Sequence, residues 1–299
     1  MKKSFLLLTF AFVASLASCG PINSNSQNGA DSNDSQSSSQ DTSANSENRP
    51  YIIDSTKGQI TYGIYPQTHV NDPAVIFELN KITTPESNGW YLFQNEYYAK
   101  REGKPYSGGV ANTFNDGTNI QSRNTYWFKC EPIIWNIVKT YGTYYHLLSS
   151  LLLDTHQFDS SSNNYVNSEI RDWLNNDFYN SAFIDGNNCV MAATVDNSAS
   201  TTDSESNQYV CDNSSDRVFL LSYQDCLLKT QSDRLCMTTD WARANGPQSS
   251  KNYCGSYWTR SPDSNQNLGA FIVNSFGELE GCHVANTTIC VCPSIYLLT

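Results

Sequence analysis

Apolar and polar positions alternate along most of the chain from Tyr51 onward. Ile60, Tyr62 and Ile64 take turns with polar or small residues and predict a strand that Pro66 ends. Phe128 to Lys139 is rich in aromatic and β-branched residues, with Ile133, Trp135 and Ile137 on one face. Tyr141-Gly142 turns the chain into a second strand over Tyr144 to Ser149. Val218 to Leu221 and Phe271 to Val273 are short apolar runs suited to buried strands, the latter followed by a turn over Asn274 to Gly277. The helical period is clearest from Ser168 to Tyr179. There Ser168 can cap, Glu169 suits the positive end, and Ile170, Trp173, Leu174 and Phe178 share a face. Two shorter helices follow, Tyr223 to Lys229 after Ser222, and Asp240 to Ala244 closed by Gly246. Many strands with a few helices predict an α+β domain.

Before Tyr51 the pattern is different. Lys2 and Lys3 precede an apolar stretch from Ser4 to Ala17, the layout of a secretory leader. At about fourteen residues it is too short to span a bilayer. Its ending, Leu16-Ala17-Ser18-Cys19, resembles the lipobox of bacterial lipoproteins. The resemblance implies a signal peptide over 1–18, cleavage before Cys19, and a diacylglyceryl thioether on the Cys19 sulfur. The protein is then lipid-anchored to the cell membrane and faces the extracytoplasmic side. Residues 19–50 are nearly all polar or small, with Ile22 the only large apolar side chain, and predict a disordered tether that would span on the order of 30 Å. One domain occupies 51–299, with Asp196 to Asn207 as a polar surface loop within it.

Charge narrows the partners. With 18 basic against 29 acidic residues the net charge is -11, and loss of the leader lysines makes it more negative. Such a surface repels phosphate backbones and anionic head groups, which excludes nucleic acid as the expected partner and leaves membrane attachment to the lipid. Nine cysteines remain besides Cys19, and outside the cell they are expected as disulfides. Cys226 with Cys236, and Cys282 with Cys290 or Cys292, are the candidate local closures.

Six segments together carry a family resemblance. They are Tyr62 to Gln67, Phe128 to Trp135, Asn167 to Asn175, Val218 to Ser222, Tyr257 to Pro262 and Val291 to Ile295. In order and spacing they cover residues 58–299 and resemble an uncharacterised domain family of secreted and lipid-anchored proteins of Gram-positive-type bacteria. That family is similar to C-type-lectin-like folds, the group that includes the formylglycine-generating enzyme. The resemblance implies a single C-type-lectin-like α+β domain with small twisted antiparallel sheets, few short helices and long irregular loops. It implies no activity, because the fold group holds enzymes and binders alike. The cysteine motif of the copper-binding enzymes is not reproduced. The family's Gly-Val-Arg-Pro pattern is replaced here by Cys290-Val291-Cys292-Pro293, so its arginine is absent.

Four residues emerge as candidate ligand contacts. Arg171 and Arg260 stand beside Trp173 and Trp258, where an arginine can clamp a carboxylate or stack on a sugar ring. Trp258 itself and Glu131, which precedes Pro132, complete the set. The competing reading makes both arginines ties between loops, and the tryptophans core. Cys282, His283, Cys290 and Cys292 have the chemistry of a thiolate metal site, although such cysteines oxidise outside the cell. No metal or cofactor is called for by a motif. Calcium is the ion that Asn115-Asp116-Gly117, Asn175-Asn176-Asp177 and Asp263-Ser264-Asn265 could supply with oxygens. The four histidines, His69, His146, His156 and His283, are scattered, and no catalytic set stands out. The sequence favours a binding module for a glycan or a cell-surface protein. The alternatives are an extracytoplasmic oxidase or hydrolase using Cys282, His283, Cys290 or Glu131, and a structural envelope component.

Overall fold

Period-two alternation reaches further than the local sequence signals. In the computed structural model, which describes residues 49–108, 112–184 and 189–299, strands hold 37% of the described residues and helices 16%. The leader, Cys19 and nearly all of the tether lie outside the described residues. From Arg49 onward the chain forms one compact unit. No helix among the described residues is long and apolar enough to cross a membrane.

The first half supplies β1 (Ile52–Asp54), β2 (Gln59–His69), α1 (Pro73–Leu79), β3 (Tyr91–Phe93), β4 (Glu96–Glu102), β5 (Thr125–Tyr141), β6 (Tyr144–Ser149), β7 (Leu151–Leu152) and β8 (Asp154–Thr155). A helical stretch follows in three parts: α2 (Glu169–Trp173), a π turn over Leu174–Phe178, and α3 (Tyr179–Ala182). Then come β9 (Val190–Met191), β10 (Ala193–Val195), β11 (Ser214–Asp216), β12 (Val218–Phe219), α4 (Tyr223–Leu227), β13 (Met237–Thr238) and α5 (Asp240–Ala244). The chain ends with β14 (Tyr257–Pro262), β15 (Gly269–Val273), β16 (Leu279–His283), β17 (Cys290–Val291) and β18 (Ser294–Leu298).

Nine of these strands make one antiparallel sheet along the path β1-β2-β5-β6-β18-β12, with β3, β4 and β9 attached to its sides. Five more, in the order β16-β15-β14-β17-β8, make a half-barrel. The expected α+β, C-type-lectin-like architecture with small sheets is therefore overturned: the protein is mostly β. The physical reason lies in strand length. Pro66 does not end β2, because a register shift between Pro66 and Thr68 absorbs its missing donor and pairing resumes at Thr68 opposite Lys129. The seventeen residues of β5 then pair with β2, β4 and β6, which joins hairpins that read as separate in sequence.

The expected hairpin strand over Tyr144–Ser149 is present as β6. The expected long helix begins as predicted, with Ser168 Oγ accepting the Arg171 N–H, but it is broken at Asn175. The Asn175 side-chain amide donates to the Arg171 and Val218 carbonyls and its oxygen accepts from Arg217 and Val218, so the helix opens into a π turn where it meets β12. Ser222 and Asp225 form a reciprocal capping box on α4.

The main core fills the space between the sheets with Ile60, Ile133, Trp135, Leu147, Leu174, Phe178, Trp258 and Ile295. Their burial supplies most of the stabilisation, each large side chain contributing about 1.5–3 kcal/mol. One polar joint also crosses this space. Arg101 on β4 grips the Asp154 carboxylate of β8 with two hydrogen bonds of 2.7 and 3.0 Å. Tyr65 Oη on β2 and Trp241 Nε1 on α5 donate to the same group at 3.0 and 2.8 Å. Burial, followed by the Asp154 charge, pushes the Tyr65 hydroxyl well above its usual range, so it stays a donor.

His146 lies buried on β6 with Nε2 2.9 Å from Ser294 Oγ, and burial lowers its pKa to about 4. A folded value below the unfolded 6.5 means that stability is complete above pH 6.5 and is lost as pH falls toward 4. Urea unfolding of wild type should lose about 2 kcal/mol more between pH 7 and pH 5 than the His146→Gln variant. Equal losses would contradict this assignment.

Candidate functional site

Strand β8 passes the chain to His156, whose backbone is fixed on both sides. Its N–H donates to the Ile289 carbonyl at 3.1 Å, and its carbonyl accepts Trp258 Nε1–H at 2.8 Å. The imidazole stacks on Trp173 of α2, with centroids 5.3 Å apart and planes 28° from parallel. Nδ1 lies 2.6 Å from the Gln157 carbonyl. A carbonyl only accepts, so Nδ1 carries a proton, and in the Nδ1–H tautomer Nε2 is an acceptor.

Glu169, the first residue of α2, is held beside this ring. Its carboxylate accepts the Ser160 N–H at 3.1 Å and the Gln157 side-chain amide. Those bonds from Ser160 and Gln157 outweigh the small cost of burial and keep the carboxyl below its ordinary range, hence ionised at neutral pH.

Two adjoining cavities share His156 and Glu169. One, of about 630 Å³, is bounded by Lys104, Tyr106, Thr155, Asn245 and Thr288. The other, of about 420 Å³, is bounded by Asn167, Asp172, Trp173 and Asp177. Together they form a polar cleft of a size that holds small ligands. Its rim depends on close backbone contacts. Gly246 has φ +72°, and a Cβ there would stand 2.1 Å from the Lys104 carbonyl. Lys104 N–H donates to Ala244 O at 2.7 Å, and Gln248 N–H to Thr288 O at 2.9 Å. The Asn245 side chain donates to Thr155 Oγ1.

The sequence candidates separate into supports of this cleft and residues outside it. Arg171 lies on α2, where its Nε donates to Asp216 at 2.7 Å and its Nη1 to the Val166 carbonyl at 2.8 Å; it pins the cleft helix to β11. Trp258 is buried and reaches the cleft only through its bond to the His156 carbonyl. Arg260 is spent on the Leu220 and Asp196 carbonyls and on Asp225, tying two loops to α4. Glu131 sits on β5 and accepts Thr68 Oγ1, away from Arg260 on the other sheet.

The set Cys282, His283, Cys290 and Cys292 is not assembled. Cys282 on β16 is three strand positions from Cys290 on β17, about 14 Å at normal sheet spacing. That distance also removes the expected Cys282–Cys290 closure. Oxygens of the Asp- and Asn-rich loops accept bonds within the protein. Asp116 contacts His69 and Thr118, Asn115 contacts Arg243, and Asp263 contacts Asn265 and Gln266.

Sequence reading missed His156, Lys104, Tyr106 and Asn245. A usable signal lay in the Asn167 to Asn175 segment, where Glu169, Asp172 and Trp173 are spaced to share one helix face.

The fold and site thus define a mostly β domain with a polar cleft flanked by aromatic rings. Residues 144–297, just over half of the chain, match the family described as Domain of unknown function (DUF6273), and the protein belongs to it. His156, Glu169, Trp173 and Asn245 fall inside the matched span, whereas the Lys104 wall lies before it. No curated protein matches the chain, and no solved structure does.

Proposed function

We propose that the protein is a lipid-anchored, extracytoplasmic binding domain whose cleft receives a polyhydroxylated ligand, a glycan. The single observation that carries this reading is the character of the cleft. Fixed acceptors on Glu169, donors on Asn245 and Lys104, and the edges of Trp173 and Tyr106 meet around cavities of ligand size. A carboxylate already ionised and oriented by two donors can accept from vicinal hydroxyls without reorganising. Aromatic side chains beside polar groups suit the apolar faces of sugar rings.

The Cys19 ending and the polar stretch after it support display from a membrane surface. A second reading, hydrolysis of the bound glycan, rests on His156, whose orientation presents Nε2 as a base beside Glu169.

Titration calorimetry of the purified domain against cell-wall and host-type oligosaccharides should give a saturable isotherm. Glu169→Ala should weaken it at least tenfold, while Glu131→Ala leaves it unchanged. Binding that survives loss of Glu169 would overturn the assignment, and product formation abolished by His156→Ala would favour the hydrolase. Labelled palmitate should enter the wild-type protein, whereas Cys19→Ala should be unlabelled and released from the membrane fraction. A membrane-retained Cys19→Ala protein would contradict the anchor.

A further inference from the structure

Four of the nine described cysteines gather in a separate apolar cluster. Cys226, Cys290 and Cys292 are buried with Leu148, Leu152, Leu221, Tyr257 and Val273, and Cys236 packs against them. Strand geometry explains the convergence. Val291 points into the main core, so its neighbours Cys290 and Cys292 face the opposite side together. Met237 bridges Cys254 across an antiparallel contact, which places Cys254 on the Met237 side and turns Cys236 toward the cluster.

The Ser149-Ser150 segment then brings two of the sulfurs to one place. Cys236 Sγ lies 3.5 Å from the Ser150 carbonyl. Cys292 Sγ lies 3.5 Å from Ser149 Oγ and 3.7 Å from the Ser149 carbonyl. The Cys236 and Cys292 side chains are also in contact with one another.

From this convergence we propose that Cys236 and Cys292 are the pair that oxidises to a disulfide, in place of the Cys226–Cys236 closure that sequence proximity suggests. Either thiol can open the exchange as its thiolate, and the steps are the same with Cys292 or Cys236 first.

The oxidant is a low-molecular-weight disulfide such as oxidised glutathione, met while the chain folds and both thiols are still accessible. Cys292 attacks one oxidant sulfur, breaks its S–S bond and releases one thiol. The Cys236 sulfur, its proton passing to solvent, then attacks the Cys292 sulfur of the mixed disulfide and expels the second thiol. Two protein thiols lose two electrons, and the oxidant is reduced to two thiols. The bond closes a long loop from the start of β13 to the end of β17, so it restricts the unfolded chain strongly.

The test is refolding of the full chain in a mixture of oxidised and reduced glutathione, followed by alkylation, digestion without reductant and mass spectrometry. The expected result is a dominant linked peptide pair containing Cys236 and Cys292, two hydrogens lighter than the free peptides, with a Tm about 10 °C higher than after reduction. Cys292→Ser should remove the linked pair and the response of Tm to reductant. Recovery of Cys236 and Cys292 as alkylated thiols, or their capture in other pairs, would overturn the proposal.

Discussion

Asp154 carries a constraint on which much of the molecule depends. Its two oxygens accept from Arg101, Tyr65, Trp241 and the Thr155 N–H, so one buried carboxylate meets donors from β2, β4, α5 and its own strand. An ionised group taken out of water is strongly unfavourable unless every lone pair is met, and here the donors come from both sheets. The Arg101 guanidinium, centred 3.6 Å from the Trp241 ring, is held in turn by stacking and by the Trp241 carbonyl. The joint therefore specifies how the half-barrel docks on the large sheet, a matter on which a purely apolar contact is permissive.

The cleft is built directly on that joint. His156 follows Asp154 by two residues, and α5, which contributes Trp241 to the joint, ends in the Asn245-Gly246 corner that shapes the rim. The opposite wall is α2, fixed to β11 by Arg171 and Asp216. Three elements remote in sequence thus present acceptors, donors and ring edges to one space. The glycan reading follows from this preorganisation: Glu169, His156 and Asn245 are oriented by bonds to their own scaffold before any ligand arrives.

How much of this was legible in the sequence depends on the range of the interaction. The β6 strand and the Ser168, Ser222 and Gly246 boundaries were readable, because capping and turn chemistry act over three or four residues. The growth of hairpins into a nine-stranded sheet was not, since β5 gains its neighbours from segments tens of residues away. Arg171, Trp258 and Arg260 stood out as motif residues, but only a fold shows that their donors end on backbone and carboxylate partners. His156 was hidden for the opposite reason. Nothing beside it in sequence marks it, and its setting comes from Ile289, Trp258 and Trp173. The cysteines misled in the same way, because proximity along the chain suggested a Cys282–Cys290 closure that strand order forbids.

The claim that Asp154 is the joint between the sheets is tested most directly by a double-mutant cycle. Unfolding free energies of wild type, Asp154→Asn, Arg101→Met and the double variant isolate the pair from the packing around it. The account predicts that Asp154→Asn costs about 4 kcal/mol and that the two changes couple by about 2 kcal/mol. Single effects that simply add, within about 0.5 kcal/mol, would contradict it.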